Sequence, residues 1–391
     1  MGSVSVETQV KEKKRKEKKE HYFDYSLLAI VIFLMCFGLV MLYSTSSYSA
    51  ALKFGNSMYY FKKQAIISAG SLVAMLIVSR IDYHIYALLA KLAYWVSFIL
   101  MALVLVPGVG IEAYGARRWI KLPFGLQMQP AEVTKIAIII FIPLLICKAG
   151  KRIKNWKITA VILAWGAAAS LGVFLLTDNL SSAIIVAGMV CVMIFVAHPK
   201  TGPLLAIAGA GVGLIAAVVM FINANIQTSE DFRIRRILAW LHPEQFMDDG
   251  GFQVMQGLYA IGSGGFFGKG LGNSAQKMII PEAQNDMILS IICEELGVFG
   301  VIVMLTLFGM MLYRLMFIAQ NAPDLYGSLI VTGIFAHIAI QVVFNIAVVL
   351  SLFPPTGVTL PFVSYGGTSI LFLMAEMGLA LAVSTKIKIE E

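Results

Sequence analysis

Asp286 stands where a polar stretch meets a membrane-length apolar run, at the end of Pro281-Glu282-Ala283-Gln284-Asn285-Asp286. Partial removal from water raises a carboxyl pKa and nearby cations lower it. That balance lets a carboxylate serve as a general base near neutral pH. The same position suits a helix N-cap, where the carboxylate accepts a backbone N–H and meets the positive end of the dipole. The two readings are compatible. Glu282 is the next carboxylate in line for the role.

Two cationic groups accompany it: Arg117, Arg118 and Lys121, and further along Arg233, Arg235 and Arg236. Guanidinium forks match phosphate oxygens, so two such clusters suit a phosphate-bearing lipid head group. The plainer reading is surface charge paired with Asp231 and Asp248. Arg233 and Arg236 share a helical face with Ile237 and Trp240, the pattern of an interfacial amphipathic helix. Glu132 and Lys135 lie at i and i+3 after Gln129-Pro130, a proline that fits a first helical turn. They either neutralise each other or orient a cavity wall.

Other patterns exclude chemistries. AIGSGGFFGKGLG has Ser263 five residues before Gly268, and Gly270 after Lys269, so it fails the Walker spacing. Its glycines serve close helix packing or a tight re-entrant turn. His84, His242 and His337 are scattered, and Cys36, Cys147, Cys191 and Cys293 show no CxxC spacing, so no zinc site or disulfide framework is indicated. The sequence identifies no metal ligands and leaves open a divalent cation such as Mg or Mn. The Gly366-Gly367-Thr368-Ser369 stretch has no nucleophile elbow.

Composition fixes what positions these residues. Apolar residues make up 59% of the chain and charged residues 13%, which excludes an ordinary soluble domain. A bilayer core takes about 20 apolar residues per helix. Ten runs meet that need: 24–44, 61–79, 84–106, 130–148, 157–176, 180–197, 203–224, 285–313, 325–351 and 363–384. They are continuously apolar rather than alternating, so the expected class is an all-α integral membrane protein, not a barrel. The domain reading is a basic tail (1–23), a ten-helix unit (24–384) holding a long polar loop (227–284) between the seventh and eighth spans, and a short C-terminus (385–391).

The net charge of +8 raises nucleic acid as a partner, but its placement argues against that. Of 30 Lys and Arg, seven lie in KEKKRKEKKE and five in KAGKRIKNWK, with Arg80, Lys200, Arg314, Lys386 and Lys388 at other connections of one parity. The positive-inside rule makes that side cytoplasmic, with both termini inside and the polar loop outside. The basic tail reads as a topology signal and a contact for anionic membrane lipids. It is too long and charged to open a cleaved signal peptide. Of the five outer connections (45–60, 108–129, 177–182, 227–284 and 351–369), the last four carry unusual polar or backbone-breaking residues, so the active face is expected outside.

GARRWIKL followed by QPAEVTK, then GFQVMQGLYAIGSGGFFGKGLGNSAQK with IPEAQNDMILSIICEELG, then TGVTLPFVSYGGTS, resemble in order the signatures of the SEDS family (shape, elongation, division and sporulation). The likeness covers nearly the whole chain. It implies a peptidoglycan glycosyltransferase that polymerises lipid II on the outer face, releasing undecaprenyl pyrophosphate with inversion. It implies Asp286 as the base toward the 4-hydroxyl of the acceptor sugar. The implied substrate-binding set is Arg117, Arg118, Lys121, Gln129, Glu132, Lys135, Arg233, Arg236, Lys269, Lys277, Glu282, Ser364, Tyr365 and Gly366. The implied partners are the undecaprenyl-linked glycan, a class B penicillin-binding transpeptidase and other division proteins. The basic tail leans toward the division branch rather than elongation. Two departures stand out: Gln284-Asn285 replaces a His-Thr pair, and Asn179 replaces an acid. Competing readings are a lipid II flippase and a non-catalytic scaffold for the transpeptidase.

Overall fold

The computed structural model describes residues 22–113, 116–122, 126–226 and 232–388. The charged run of the expected basic tail and Asp231 lie outside the described residues. The helices are α1 (Tyr25–Phe54), α2 (Tyr59–Arg80), α3 (His84–Leu103), α4 (Pro130–Ala149), α5 (Trp156–Thr177), α6 (Leu180–Ala197), α7 (Gly202–Asn225), α8 (Phe232–Leu241), α9 (Gly251–Gly264), α10 (Ile288–Asn321), α11 (Leu325–Val349) and α12 (Ser369–Ser384). Among the described residues nine helices are long and apolar enough to cross a membrane, and α12 is a shorter apolar one. The chain is a multi-pass helical membrane protein.

The boundaries depart from the apolar runs in four places, each with a local cause. α1 runs ten residues past the expected end at 44 and absorbs most of the first connection. Thr45, Ser46, Ser47 and Ser49 return their hydroxyls to the preceding turn, as Thr45 does to the Met41 carbonyl and Ser46 to that of Leu42, so they cost the helix little solvation. The second connection folds as an antiparallel sheet of β1 (Gly110–Ala113), β2 (Ala116–Lys121) and β3 (Gln127–Met128), an addition to the all-α expectation. The polar segment after α7 is no plain loop, since it holds α8 and α9. The tenth run starts as a helix only at Ser369, because its first residues belong to an irregular Pro- and Gly-rich segment.

α4 and α11 are the most enclosed spans, and α7 is the least. An apolar helix with every face covered is a core element, whereas one with bare apolar faces meets lipid. α12 lies close along α2: a Cβ at Gly378 would sit 2.7 Å from the Met75 carbonyl oxygen. The described ends of the chain meet, with the Asp24 N–H donating to Ser384 Oγ and Arg314 bonding the Asp24 carboxylate. At this same end His84 bridges Asp82 and Asp324, and Lys386 pairs with Asp82. Among the described residues, the 45–60, 108–129, 177–182, 227–284 and 351–369 connections meet one another away from this end.

Candidate active site

The 351–368 segment is the hub of that meeting. Arg236 on α8 donates to the Pro355 carbonyl at 3.5 Å and Trp240 to that of Ser351 at 2.7 Å. Ser181, at the start of α6, donates to the Thr356 carbonyl, and Thr368 donates to that of Gln127 in β3. The Tyr365 ring meets Tyr60 of α2 edge-on at 5.1 Å. An irregular backbone at this depth needs partners for its carbonyls; Arg236, Trp240 and Ser181 supply three of them, while Thr368 and Tyr365 tie the segment to β3 and α2.

Asp286 sits against this hub, half-buried in the turn before α10. It is not the helix cap: Met287 holds that position, without a side-chain capping bond. Instead its Oδ1 accepts from Gln253 of α9 at 3.3 Å. Its Oδ2 lies 3.9 Å from where a Cβ would stand on Gly357, whose φ of +74° favours glycine. Burial is the main cause that raises the Asp286 pKa, with Glu282 adding to it, while its own backbone N–H, the Arg236 guanidinium and the Gln253 amide oppose it. A carboxylate freed from capping and lifted above its usual range is suited to accept a proton.

Arg236 is the cation of this group. Its pKa falls to about 10, first through burial and then through the charge of Arg118, while Asp286 acts against the fall. Arg118, Arg236 and Asp286 are thus within electrostatic reach of one another. A pair of neighbouring guanidiniums is costly unless an anion lies between them, so the arrangement suits phosphate oxygens.

The two arginines of GARRW separate. Arg117 stands opposite Glu112 in the β1–β2 register and bonds it at 3.2 Å, half-exposed. Arg118 is the extra residue where the register shifts between Ile111 and Glu112; it is less exposed than Arg117, and its charge reaches Arg236. Lys121, exposed, pairs in register with Gln127 at the sheet edge. Gln129 occupies the N-cap of α4 without a capping bond. Arg233 begins α8, and its side chain lies outside the described residues.

Glu282 pairs with Lys53 at 3.0 Å, and its other oxygen accepts from both Gln284 and Asn285. The residues that depart from the family pattern therefore brace this turn. Gln284 also gives its carbonyl to the Tyr365 N–H. Asn179 accepts from the Ser182 N–H as the cap of α6, so the second departure keeps a capping function. Ser364 accepts from the Leu360 N–H, and burial pushes the Tyr365 phenol up to about 12, so it is a donor rather than a base. Gly366 closes the turn into α12, its carbonyl accepting from the Ser369 N–H.

Lys269 and Lys277 do not join Asp286. Lys269 pairs with Glu294 at 2.7 Å and Lys277 with Glu295 at 3.1 Å, both carboxylates fully buried. Ser44 donates to Glu295 at 2.5 Å. Along α1, Ser44 lies nine residues from Lys53, the partner of Glu282; at 1.5 Å per residue this node is about 13 Å deeper. Here the glycine-rich motif packs on a break in α10 at Gly297, with Gly270 donating to the Glu295 carbonyl and Val298 to that of Gly265. A Cβ on Gly268 would strike Glu295 backbone at 2.2 Å. The motif serves packing.

Glu132 and Lys135 pair at 2.8 Å, nearly buried, and lead into a chain that the sequence reading did not identify. Lys135 Nζ is 3.0 Å from His337 Nε2, and His337 Nδ1 is 2.7 Å from Glu376. The available signal was His337, Gln341 and Asn345 at i, i+4 and i+8 in an apolar run, one polar stripe on a helix. Among the described residues no three His, Cys, Asp or Glu form a metal-binding group.

Comparison with known proteins agrees with this geometry. A family model described as "Cell cycle protein", for FtsW, RodA and SpoVE, matches residues 25–389. The probable peptidoglycan glycosyltransferase FtsW of Trichlorobacter lovleyi is 39% identical, over 94% of each chain. The stage V sporulation protein E of Bacillus subtilis is 37% identical, over 92% of this chain and 96% of its own. Among solved structures, Thermus thermophilus RodA superposes with a TM-score of 0.66 at 26% identity, covering 94% of this chain and 98% of that one. A chain from a study of how a peptidoglycan synthase complex coordinates polymerization and crosslinking reaches a TM-score of 0.73 at 28% identity, covering 93% and 97%.

Proposed function

Because this chain belongs to the FtsW, RodA and SpoVE family of cell cycle proteins, we propose that it is a peptidoglycan glycosyltransferase that polymerises lipid II. The observation that carries the reading is Asp286, uncapped and raised in pKa, beside the partly buried Arg236 and Arg118. Asp286 takes the proton of the acceptor sugar's 4-hydroxyl. That oxygen attacks the donor's anomeric carbon from the face opposite the leaving group, so the configuration inverts. The anomeric C–O bond breaks, and its electron pair leaves with undecaprenyl pyrophosphate. Arg236 and Arg118 meet the charge that grows on the pyrophosphate, where preorganised donors act most strongly. A divalent cation such as Mg or Mn would supply charge neutralisation at the pyrophosphate, with Asp286 the carboxylate beside it.

The site end is assigned to the outside and the meeting termini to the cytoplasm, from the placement of Lys and Arg. A class B transpeptidase is the proposed partner, supported by the likeness to a synthase-complex chain, and the division septum is the proposed location. A flippase reading draws on the buried chain from Glu132 to Glu376, but that chain ends within the span: Glu376 Oε1 has no hydrogen-bond partner. The test is polymer formation from purified lipid II by the protein with its transpeptidase, alongside lipid II translocation in vesicles. Polymer without translocation supports the proposal; translocation without polymer overturns it.

A further inference from the structure

The residues that carry Asp286 are held by a second set of side chains that no part of the chemistry above uses. Asn345, near the end of α11, donates from one Nδ2 to two carbonyls: Asp286 at 2.9 Å and Val358 at 2.7 Å. One amide thus ties the base to the segment that faces it across Gly357. Asn345 is fully buried, and its Oδ1 has no hydrogen-bond partner. A buried acceptor left without a donor is costly, so the amide is oriented by the two carbonyls rather than by its own best satisfaction.

Gln341, one turn deeper, repeats the device. Its Nε2 donates to the Thr359 carbonyl at 3.0 Å. Its Oε1 faces Lys135 Nζ at 3.4 Å and His337 Nε2 at 2.8 Å. An ammonium offers donors only, so the amide oxygen must turn toward Lys135 and the NH2 toward the segment. Lys135, held by Glu132 on α4, thereby fixes which way Gln341 points, while His337 Nε2 either accepts from Lys135 or donates to Gln341. The 356–359 stretch has no regular secondary structure, so these two amides define where it runs.

We propose that Gln341 and Asn345 are positioning residues for the glycosyl transfer, with the buried Glu132–Lys135 pair setting the orientation of Gln341. The inference rests on the reading of Asp286 as the base. Displacing a reacting group by about 1 Å costs on the order of 100-fold in rate, and the amides act on that scale without touching substrate.

The experiment compares Asn345→Asp, Asn345→Ala, Gln341→Glu and Gln341→Met with wild type, each full-length and co-purified with the transpeptidase. Lipid II polymerisation is followed for kcat and KM across pH, normalised to folded complex. In parallel, pH-dependent carbodiimide labelling of Asp286 is read by mass spectrometry, which reports on the carboxyl without activity. The expected result is a kcat loss of about 10- to 100-fold in the Asn345 variants with KM within about threefold, and a changed Asp286 labelling midpoint. Gln341→Glu, which keeps its contact with Lys135 but turns a carboxylate to the Thr359 carbonyl, loses more rate than Gln341→Met. Should Asn345→Asp fail to assemble, Asn345→Ala adds no buried charge and carries the same prediction. Unchanged kcat and labelling in folded variants overturn the proposal, as does a loss confined to KM. Equal rates in wild type and Asp286→Asn would instead strike the base assignment itself, while the labelling shift still reports whether the amides hold that carboxyl.

Discussion

Two charged groups lie about 13 Å apart in depth along α1 and are wired in opposite ways. At the deeper one, Glu295 takes Lys277, Ser44 and the Ser274 N–H, and Glu294 takes Lys269, Ser274 and backbone donors, so every carboxylate oxygen is matched. At the site end, Asp286 has one 3.3 Å side-chain bond, and two guanidiniums repel each other beside it. The deeper group is built to stay as it is. The other keeps unspent electrostatic capacity for a ligand, the ordinary cost of a reactive site.

The largest effect is expected from breaking the satisfied node. Glu295→Gln leaves the Lys277 ammonium buried without its counter-charge, and the loss of stability should be about 3–5 kcal/mol. Thermal unfolding of the detergent-solubilised protein measures it, and a shift of a degree or less would show that the node is not structural. Next comes Arg236→Met, expected to lower kcat by about 100-fold through lost stabilisation of the leaving group, with little effect on unfolding. A comparable fall in stability would move Arg236 into the structural class.

A smaller effect sharpens the contrast at Asp286 itself. Its folded pKa is raised, so the charged form destabilises the fold above the ordinary carboxylate range and the penalty vanishes below it. Asp286→Asn should therefore unfold at a slightly higher temperature than wild type at pH 7, with the gap closing as pH falls through that range. The same direction sets the rate: polymerisation should decline on acidification at a pH above that of a typical carboxyl. The smallest effect belongs to Arg117→Ala. Its exposed pair with Glu112 is worth little, so activity should stay within about twofold, whereas Arg118→Ala should not be silent.

The contrast was partly legible in the sequence. Among the described residues nine of the ten apolar runs gave membrane-length helices and the tenth a shorter one, and a carboxylate at a polar-to-apolar boundary gave Asp286, because both rest on strong local costs. Lys269 and Lys277 were assigned to substrate from the motif they share; their partners Glu294 and Glu295 sat in plain view within an apolar run, but the pairing depends on the break at Gly297, which no periodicity shows. Arg117 and Arg118 looked equivalent until the second connection proved to be a sheet whose register pairs Arg117 with Glu112 and leaves Arg118 at a bulge. Asp286 suited an N-cap by position, yet the helix starts one residue too late for it. His337 was set aside as a scattered histidine, since its partners Lys135 and Glu376 lie far away in sequence.

One paired measurement tests the division between the two groups: lipid II polymerisation per folded complex in Asp286→Asn and in Glu295→Gln, each with its transpeptidase. Asp286→Asn should assemble normally and lose about 1,000-fold or more in rate, while Glu295→Gln should yield less folded complex but keep most of the rate in what remains. An active Asp286→Asn, or a well-folded and inactive Glu295→Gln, would contradict it.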